Sequence, residues 1–149
     1  MRQLLILLLF PILVSAQADI SNSSIDWLTD YDTAVKKAKK QNKNIVLFFT
    51  GSDWCAPCKM LKKDLFNTKE FKTLAKDYTL LYIDIPMNKD LISEKQLRHN
   101  KELSARYNKR GSIPLFKIIN TRGKKLDQIS GYGMRGEIQY HLNLLKKHK

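Results

Sequence analysis

Cysteine is scarce in this sequence, with only Cys55 and Cys58 among 149 residues. Two cysteines cannot build the disulfide framework that stabilises small secreted domains, and a bond between them closes too short a loop to restrict the unfolded chain much. The length allows one ordinary domain after a short leader, which is enough to bury a core. The fold must therefore rest on hydrophobic packing, which leaves the cysteine pair available for chemistry.

Long apolar runs are missing after the N-terminus, so nothing there predicts a transmembrane helix, which needs about 20 residues. The N-terminus has a positive charge at Arg2, an apolar run over residues 4–14 and small residues up to Ala18. This pattern predicts a secretory signal peptide over residues 1–18 and a domain over residues 19–149. No cysteine lies near the cleavage site to carry a lipid anchor. We expect an exported protein, periplasmic or secreted, with tethering by an uncleaved leader as the alternative.

Acidic residues are few, since 14 Asp and Glu stand against 27 Lys and Arg, for a net charge of +13. A charge of this size suits acidic partners, anionic membrane surfaces or nucleic acid. The lysines are spread along the chain, however, and no zinc-finger or aromatic RNA-binding motif is present. We assign most of them to solvated helix faces and predict no nucleic-acid partner.

Internal repeats and low-complexity segments are absent, and helical and strand patterns alternate instead. Apolar residues at helical spacing predict a helix over residues 30–41, and continuous apolar runs predict buried strands at 45–50 and 78–85. A strand at 113–119 with a hairpin partner at 125–129 precedes a final helix. The sequence also predicts a short strand at 25–28, a polar segment at 87–109 with a helical pattern around 95–107, and the final helix over 137–148.

The cysteine pair lies between the strand predicted at 45–50 and a helical pattern that begins directly after it. The N-terminus of a helix stabilises an anion through its macrodipole and unpaired N–H groups, which is the setting in which thiolates form. Cys55 is then the more exposed, attacking thiolate, and Cys58, a turn deeper, resolves the mixed disulfide. Pro57 suits the first helical turn, where no N–H is needed, and Lys59 adds a positive charge.

A Cys-x-x-Cys pair has two other interpretations, a half zinc site and a purely structural disulfide. Zinc would need further donors, and the histidines are widely separated and lack the usual spacing of a ligand pair: His99, His141 and His148. The position after a strand and before a helix favours thiol–disulfide exchange over both. No cofactor-binding fingerprint is present and exchange needs none, so we predict neither a metal nor a cofactor.

Two separated motifs resemble the thioredoxin superfamily. The run Trp54–Lys59, Trp-Cys-Ala-Pro-Cys-Lys, resembles the Trp-Cys-x-Pro-Cys-Lys signature, and Ser112-Ile113-Pro114 resembles the cis-proline loop downstream of it. The resemblance extends from Ile25 to the C-terminus and is greatest to exported thioredoxin-like proteins. It implies a thioredoxin-like α/β fold, in which a central mixed sheet of four or five strands is flanked by helices on both faces.

The resemblance also implies a substrate-binding ledge. Pro114 would lie beside the disulfide after a cis bond from Ile113, and the backbone near it would pair with an extended substrate chain. A plain proline at the start of a strand is the alternative. Trp54 would both pack the loop and offer an apolar contact beside the exposed sulfur. Asp53 is expected to be solvated in that loop, with proton transfer as a lesser role.

The sequence departs from thioredoxin in lacking a buried acid in the strand before the motif, where residues 47–50 are Leu-Phe-Phe-Thr. The proton of Cys58 must then leave through water, Lys59, Asp53 or another group that the fold brings near. This departure puts close mechanistic equivalence to thioredoxin in question, although it leaves the class of reaction unchanged.

The dipeptide between the cysteines bears on the direction of electron flow. Ala56-Pro57 is closer to the Gly-Pro of thioredoxin than to the Pro-His of strongly oxidising exported relatives, which favours a reductant. An exported reductant acts on disulfide- or thiol-bearing proteins and needs a membrane-bound electron donor, because its compartment is oxidising. The alternatives are a disulfide oxidase or isomerase and a non-catalytic thioredoxin-like binding module. We expect a monomer.

Overall fold

The structure is a computed structural model that describes residues 25–133 and 135–149. The signal peptide predicted over residues 1–18 lies outside the described residues. In chain order the elements are β1 (Trp27–Leu28), α1 (Tyr31–Gln41), β2 (Asn44–Thr50), α2 (Ala56–Leu61), a π-helix (Lys62–Phe66), α3 (Lys69–Ala75), β3 (Tyr78–Asp84), a 3-10 helix (Lys89–Leu91), α4 (Glu94–Tyr107), β4 (Leu115–Ile119), β5 (Lys125–Ser130) and α5 (Gln139–Lys147). None of the helices in these two ranges has the length and hydropathy to cross a bilayer.

The strands form one five-stranded mixed sheet in the order β1-β3-β2-β4-β5. β3 runs parallel to both β1 and β2, while β4 runs antiparallel to β2 and to β5. The parallel register sets Thr50 opposite Asp84, so β2 and β3 end at the same edge of the sheet. The predicted thioredoxin-like α/β fold is therefore confirmed.

Helices cover both faces of the sheet, and side chains alternate between the faces along each strand. The face that carries the disulfide, here called the cysteine face, packs against α2, α3 and α5. Its strand residues are Val46, Phe48, Tyr78, Leu80, Phe116 and Ile118. The other face, here called the opposite face, packs against α1 and α4 through Ile45, Leu47, Phe49, Leu81, Ile83, Leu115 and Ile119. Burial on both faces explains why β2 and β3 are continuous apolar runs.

The helical pattern expected around residues 95–107 of the polar segment 87–109 is present as α4. Ser93 caps this helix of 14 residues by accepting a hydrogen bond from the Gln96 amide at 3.1 Å. Its buried residues are only Asn100, Leu103 and Tyr107. A helix with so few apolar positions gives a weak periodic signal, although its cap and its burial are well defined.

Two predicted boundaries are shifted at turns. β4 begins at Leu115 rather than residue 113, directly after the cis Ile113–Pro114 peptide bond. The last helix begins at Gln139 rather than residue 137, directly after a turn in which Gly136 has a φ of 63°. A positive φ of this size is accessible to glycine and does not continue into a helix.

Candidate functional site

Cys55 and Cys58 form a disulfide at the N-terminus of α2. Cys55 is the N-cap, and its Sγ accepts a hydrogen bond from the Cys58 amide at 3.2 Å. The Cys55 carbonyl also accepts from the amides of Cys58 and Lys59. Both cysteines are buried, but Cys55 retains 3% of its surface and Cys58 none. Of the two cysteines, Cys55 is thus the one that keeps some exposed surface, and a backbone donor is directed at its Sγ.

Trp54 lies on the turn that leads into the disulfide. Its indole Nε1 donates to the Ile85 carbonyl at 2.9 Å, and the residue stays 41% exposed. A Cβ added to Gly51 would lie only 2.3 Å from Cε2 of that indole. Any side chain at position 51 would collide with the indole, which packs directly on the backbone of Gly51.

The loop that contains Pro114 is anchored at both ends. Asn108 holds Ser112 through two hydrogen bonds, from Nδ2 to the Ser112 carbonyl at 2.8 Å and from the Ser112 amide to Oδ1 at 2.9 Å. After the cis Ile113–Pro114 bond, the Pro114 carbonyl accepts from the Gly131 amide at 2.8 Å. Ile113 packs against the hydrophobic cluster that includes both cysteines. The fold thus brings the two sequence motifs together.

Asp53 and Lys59, predicted as supporting residues, are bonded to each other and to a neighbouring loop. Lys59 Nζ donates to the Asp53 carbonyl at 2.8 Å. The Asp53 carboxylate accepts from the amides of Met87 and Asn88, at 3.1 and 2.8 Å. The bond from Asn88, ahead of that from Met87, lowers the pKa of Asp53. Asp53 thus has fixed partners in addition to solvent, whereas Ala56 is simply exposed.

A buried carboxylate next to the site was missed from the sequence. Asp84 ends β3 at 8% exposure, and its Oδ1 accepts from the Ser52 amide at 2.8 Å. Within residues 25–133 and 135–149 it is the one buried carboxylate. The sequence did contain a signal for it, an acid at the end of a strand predicted to be buried. Because neighbouring parallel strands end at the same edge of a sheet, this acid would lie near the turn that follows β2.

The three histidines considered as zinc donors have separate surroundings. His99 Nε2 accepts from the Tyr31 amide at 3.2 Å, and His148 Nε2 lies 3.0 Å from Asp127 Oδ2. His141 is 2% exposed, edge-on to the ring of Phe116. No group of three potential ligands clusters anywhere in the described part of the chain.

His141 is another polar residue whose burial the sequence did not indicate. Neither ring nitrogen has a hydrogen-bond partner among the described residues. Burial lowers its pKa to about 4, because the charged imidazolium loses its hydration. His141 is therefore a neutral histidine packed beside the aromatic residues of the cysteine face.

These features define a class of protein: a thioredoxin-like fold with a disulfide at a helix N-terminus beside a cis-proline loop. A family profile described as thioredoxin-like matches residues 26–120, more than half of the chain. The chain belongs to this thioredoxin-like family.

Particular relatives refine this assignment. The disulfide bond reductase DsbH of Chlamydia pneumoniae is 34% identical over 72% of this chain and 63% of its own length. The thioredoxin-related protein DsbJ of the same organism is 24% identical over 87% of this chain and 37% of its own length. The chain thus spans less than two thirds of the curated relatives that it matches. A solved DsbH oxidoreductase superposes with a TM-score of 0.72 at 28% identity, covering 89% of this chain and 92% of that one.

Proposed function

We propose that this protein is an exported thiol–disulfide oxidoreductase that reduces disulfides in protein substrates. The observation that carries the proposal is the Cys55–Cys58 disulfide at the start of α2, with the Cys58 amide directed at Cys55 Sγ. In the reduced protein the same amide stabilises a Cys55 thiolate, because a hydrogen bond to sulfur favours its charged form. The thiolate is the reactive species in disulfide exchange.

The reaction proceeds in two exchanges that conserve atoms and electrons. The Cys55 thiolate attacks one sulfur of a substrate disulfide, forming a mixed disulfide and releasing the other sulfur as a thiolate. Cys58 then loses its proton and attacks Cys55 Sγ, which forms the Cys55–Cys58 bond and releases the second substrate thiolate. Two electrons pass to the substrate, whose thiolates take up protons. A thiol donor must reduce the Cys55–Cys58 bond before the next cycle.

Substrate contacts are assigned to the exposed surface around Cys55. The backbone at Ile113 and Pro114 pairs with an extended substrate chain, and Trp54 supplies an apolar contact beside the sulfur. Pro57 and Ala56 shape the first turn of α2, and Lys59 and Asp53 support the loop. A disulfide-bearing protein fits this surface because it presents both a backbone for pairing and a sulfur for attack.

The reducing direction and the export belong to the proposal as well. The Ala-Pro dipeptide favours a reductant, and a 34% identical relative is named a disulfide bond reductase. The segment 1–18 is proposed as the leader of a domain over 19–149. Outside the cytoplasm, a membrane-bound donor would have to supply the electrons. N-terminal sequencing of the mature protein from an exporting host tests the leader, and an intact Met1 in a soluble product would contradict it.

Insulin reduction by dithiothreitol, with and without the protein, tests the activity. We expect wild type to accelerate it and Cys55→Ser to abolish the acceleration, while Cys58→Ser should accumulate a mixed disulfide through Cys55. Full activity of Cys55→Ser would contradict the mechanism. A wild type that binds protein disulfides without turnover would instead identify a binding module.

Equilibration of the cysteine pair in glutathione buffers tests the direction. A reductant should have a reduction potential near that of thioredoxin, about −270 mV. Strong exported oxidants have a reduction potential of about −120 mV, and a similar value here would identify an oxidase instead.

A further inference from the structure

The loop between β3 and the 3-10 helix is joined to the turn before the disulfide by four hydrogen bonds. Two involve Ile85, the first residue after β3: its amide donates to the Thr50 carbonyl, and its carbonyl accepts from Trp54 Nε1, both at 2.9 Å. The other two run from the Met87 and Asn88 amides to the carboxylate of Asp53. Without Asp53 those two amides would have no protein acceptor in the described chain.

Residues 85–91, here called the β3 loop, carry an unusual amount of exposed apolar surface. Only four large hydrophobic residues are exposed in the described chain: Trp54, Met87, Leu91 and Tyr140. Two of them, Met87 at 73% and Leu91 at 52%, belong to the β3 loop. The indole of Trp54 is bonded to this loop two residues before Met87. Exposed apolar residues gathered at one place on a surface are typical of contact sites.

We propose that Asp53 is a positioning residue that fastens the β3 loop to the disulfide turn, so that Met87 forms with Trp54 a specificity surface for an apolar side chain of the protein substrate. This inference rests on the proposed function and adds a second contact to the one assigned to the proline loop. Asp53 acts through the backbone of its neighbours and does not touch the reacting sulfurs.

The chemistry of the contacts favours positioning over proton transfer. Each carboxylate oxygen accepts one backbone N–H, and hydrogen bonds to an ionised acceptor are about twice as strong as neutral ones. The Asp53 carboxylate therefore faces the β3 loop and is already occupied by two donors. An ordered loop presents Met87 to a substrate at a lower entropy cost than a mobile one.

A comparison of two substrates distinguishes a role of Asp53 in substrate binding from a role in the thiol chemistry itself. Wild type, Asp53→Ala and Met87→Ala are assayed, with dithiothreitol as the recycling reductant, on insulin and on 2-hydroxyethyl disulfide, which is too small to reach the β3 loop. Asp90→Ala is the matched control, because this acid lies in the same loop and its carboxylate has no hydrogen bond or ion pair in the described structure. Amide hydrogen exchange at Met87 and Asn88 reports the fastening itself, independently of turnover.

We expect Asp53→Ala to raise KM for insulin about tenfold and to leave kcat and the rate with the small disulfide within about twofold. Met87→Ala should raise KM about threefold, and Asp90→Ala should change nothing measurable. In Asp53→Ala the Met87 and Asn88 amides should exchange at least about tenfold faster, while the Ile85 amide stays protected.

Equal losses on both substrates, with a changed glutathione equilibrium, would place Asp53 in the thiol chemistry and overturn the inference. Unchanged kinetics in Asp53→Ala and Met87→Ala would overturn it too, as would unchanged amide exchange. A wild type that reduces neither disulfide would refute the proposed function, and the specificity role with it. The activity of the wild type thus tests the proposed function, and the kinetic pattern of the variants tests the specificity role of Asp53.

Discussion

The two faces of the sheet each bury a hydrophobic cluster but bury different polar groups. On the opposite face, Asn100 Nδ2 donates to the Asp84 carbonyl at 2.7 Å, and Lys117 Nζ donates to the Tyr107 carbonyl. Each of these side chains thereby satisfies a backbone acceptor. On the cysteine face, His141 is buried with both nitrogens unpartnered among the described residues. The opposite face is not fully paired either, because Thr79 Oγ1 has no partner there, but only the cysteine face leaves a whole imidazole unpaired among the described residues.

The aromatic residues differ between the faces as well. The rings of Phe66 and Phe71 stack at 4.8 Å on the cysteine face, and Phe48 meets Phe66 edge-on at 5.0 Å. Phe116 links this cluster to His141 at 5.5 Å. The opposite face is packed mainly by aliphatic residues and by the alanines of α1. The disulfide therefore lies on the face that is packed by the bulkier aromatic side chains.

The largest expected effect is that of Phe116→Ala, which empties the centre of the aromatic cluster. We expect a loss of about 3–5 kcal/mol in the free energy of unfolding, from lost burial and the cavity left behind. Leu115→Ala is the matched control, since Leu115 is the adjacent strand residue facing the other side. Urea unfolding of both variants is the measurement. A larger loss of stability in Leu115→Ala would show that the aromatic packing of the cysteine face does not contribute more to the free energy of unfolding than the packing of the opposite face.

The next effect depends on pH and concerns His141. Its folded pKa of about 4 lies below the ordinary 6.5, so the unfolded chain binds more protons between these values. The free energy of unfolding therefore decreases as pH falls from 6.5 towards 4, by about 3 kcal/mol in all. His141→Leu should remove this pH dependence, as measured by urea unfolding at several pH values. The same slope in His141→Leu and His141→Phe would assign it to other groups.

A smaller effect is expected for Lys117 on the opposite face. Lys117→Met leaves the Tyr107 carbonyl without its donor, at a cost of about 1–2 kcal/mol. Burial lowers the pKa of Lys117, so removing the buried charge offsets part of this cost. Thermal unfolding measures the difference, and insulin reduction should stay unchanged because the disulfide lies on the other face. A loss of activity at unchanged stability would show that the two faces are coupled.

The smallest effect concerns the tie between β5 and α5. Asp127 Oδ2 accepts from Lys147 Nζ at 3.0 Å and lies 3.0 Å from His148 Nε2. The bond to His148, then that to Lys147, lowers the pKa of Asp127, so its contribution is present above the ordinary aspartate pKa and is lost as pH falls below it. Asp127→Asn should cost about 0.5 kcal/mol at pH 7, since the group is partly exposed.

The control for Asp127 is Asp26→Asn, which breaks an exposed ion pair to Lys37 on α1. It should cost less, because Asp26 is 70% exposed and its charge is better screened. Urea midpoints at pH 7 and pH 3 measure both variants. An equal cost at both values of pH for Asp127→Asn would contradict the ion-pair explanation.

Local patterns were sufficient where burial is strong. β2, β3 and β4 are runs of apolar residues, and Ala34 and Ala38 recur at helical spacing, so these elements could be predicted closely. α4 was also predicted, as a helical pattern around 95–107, although its buried positions include Asn100 and its exposed residues dominate the pattern. The cysteine site could be predicted from two short motifs that lie far apart in the chain. Each motif is recognisable by itself, because the residues that form it are consecutive in sequence.

By itself the sequence determined the thioredoxin-like fold and the disulfide between Cys55 and Cys58. The tertiary structure alone decided which polar groups meet across long separations. Asp53 reaches amides 34 and 35 residues away, and Asp84 holds an amide 32 residues away. His141 is neutral because of the rings and helices that surround it. Hydrophobic periodicity records which face is buried, whereas hydrogen-bond partners depend on where separate elements come together.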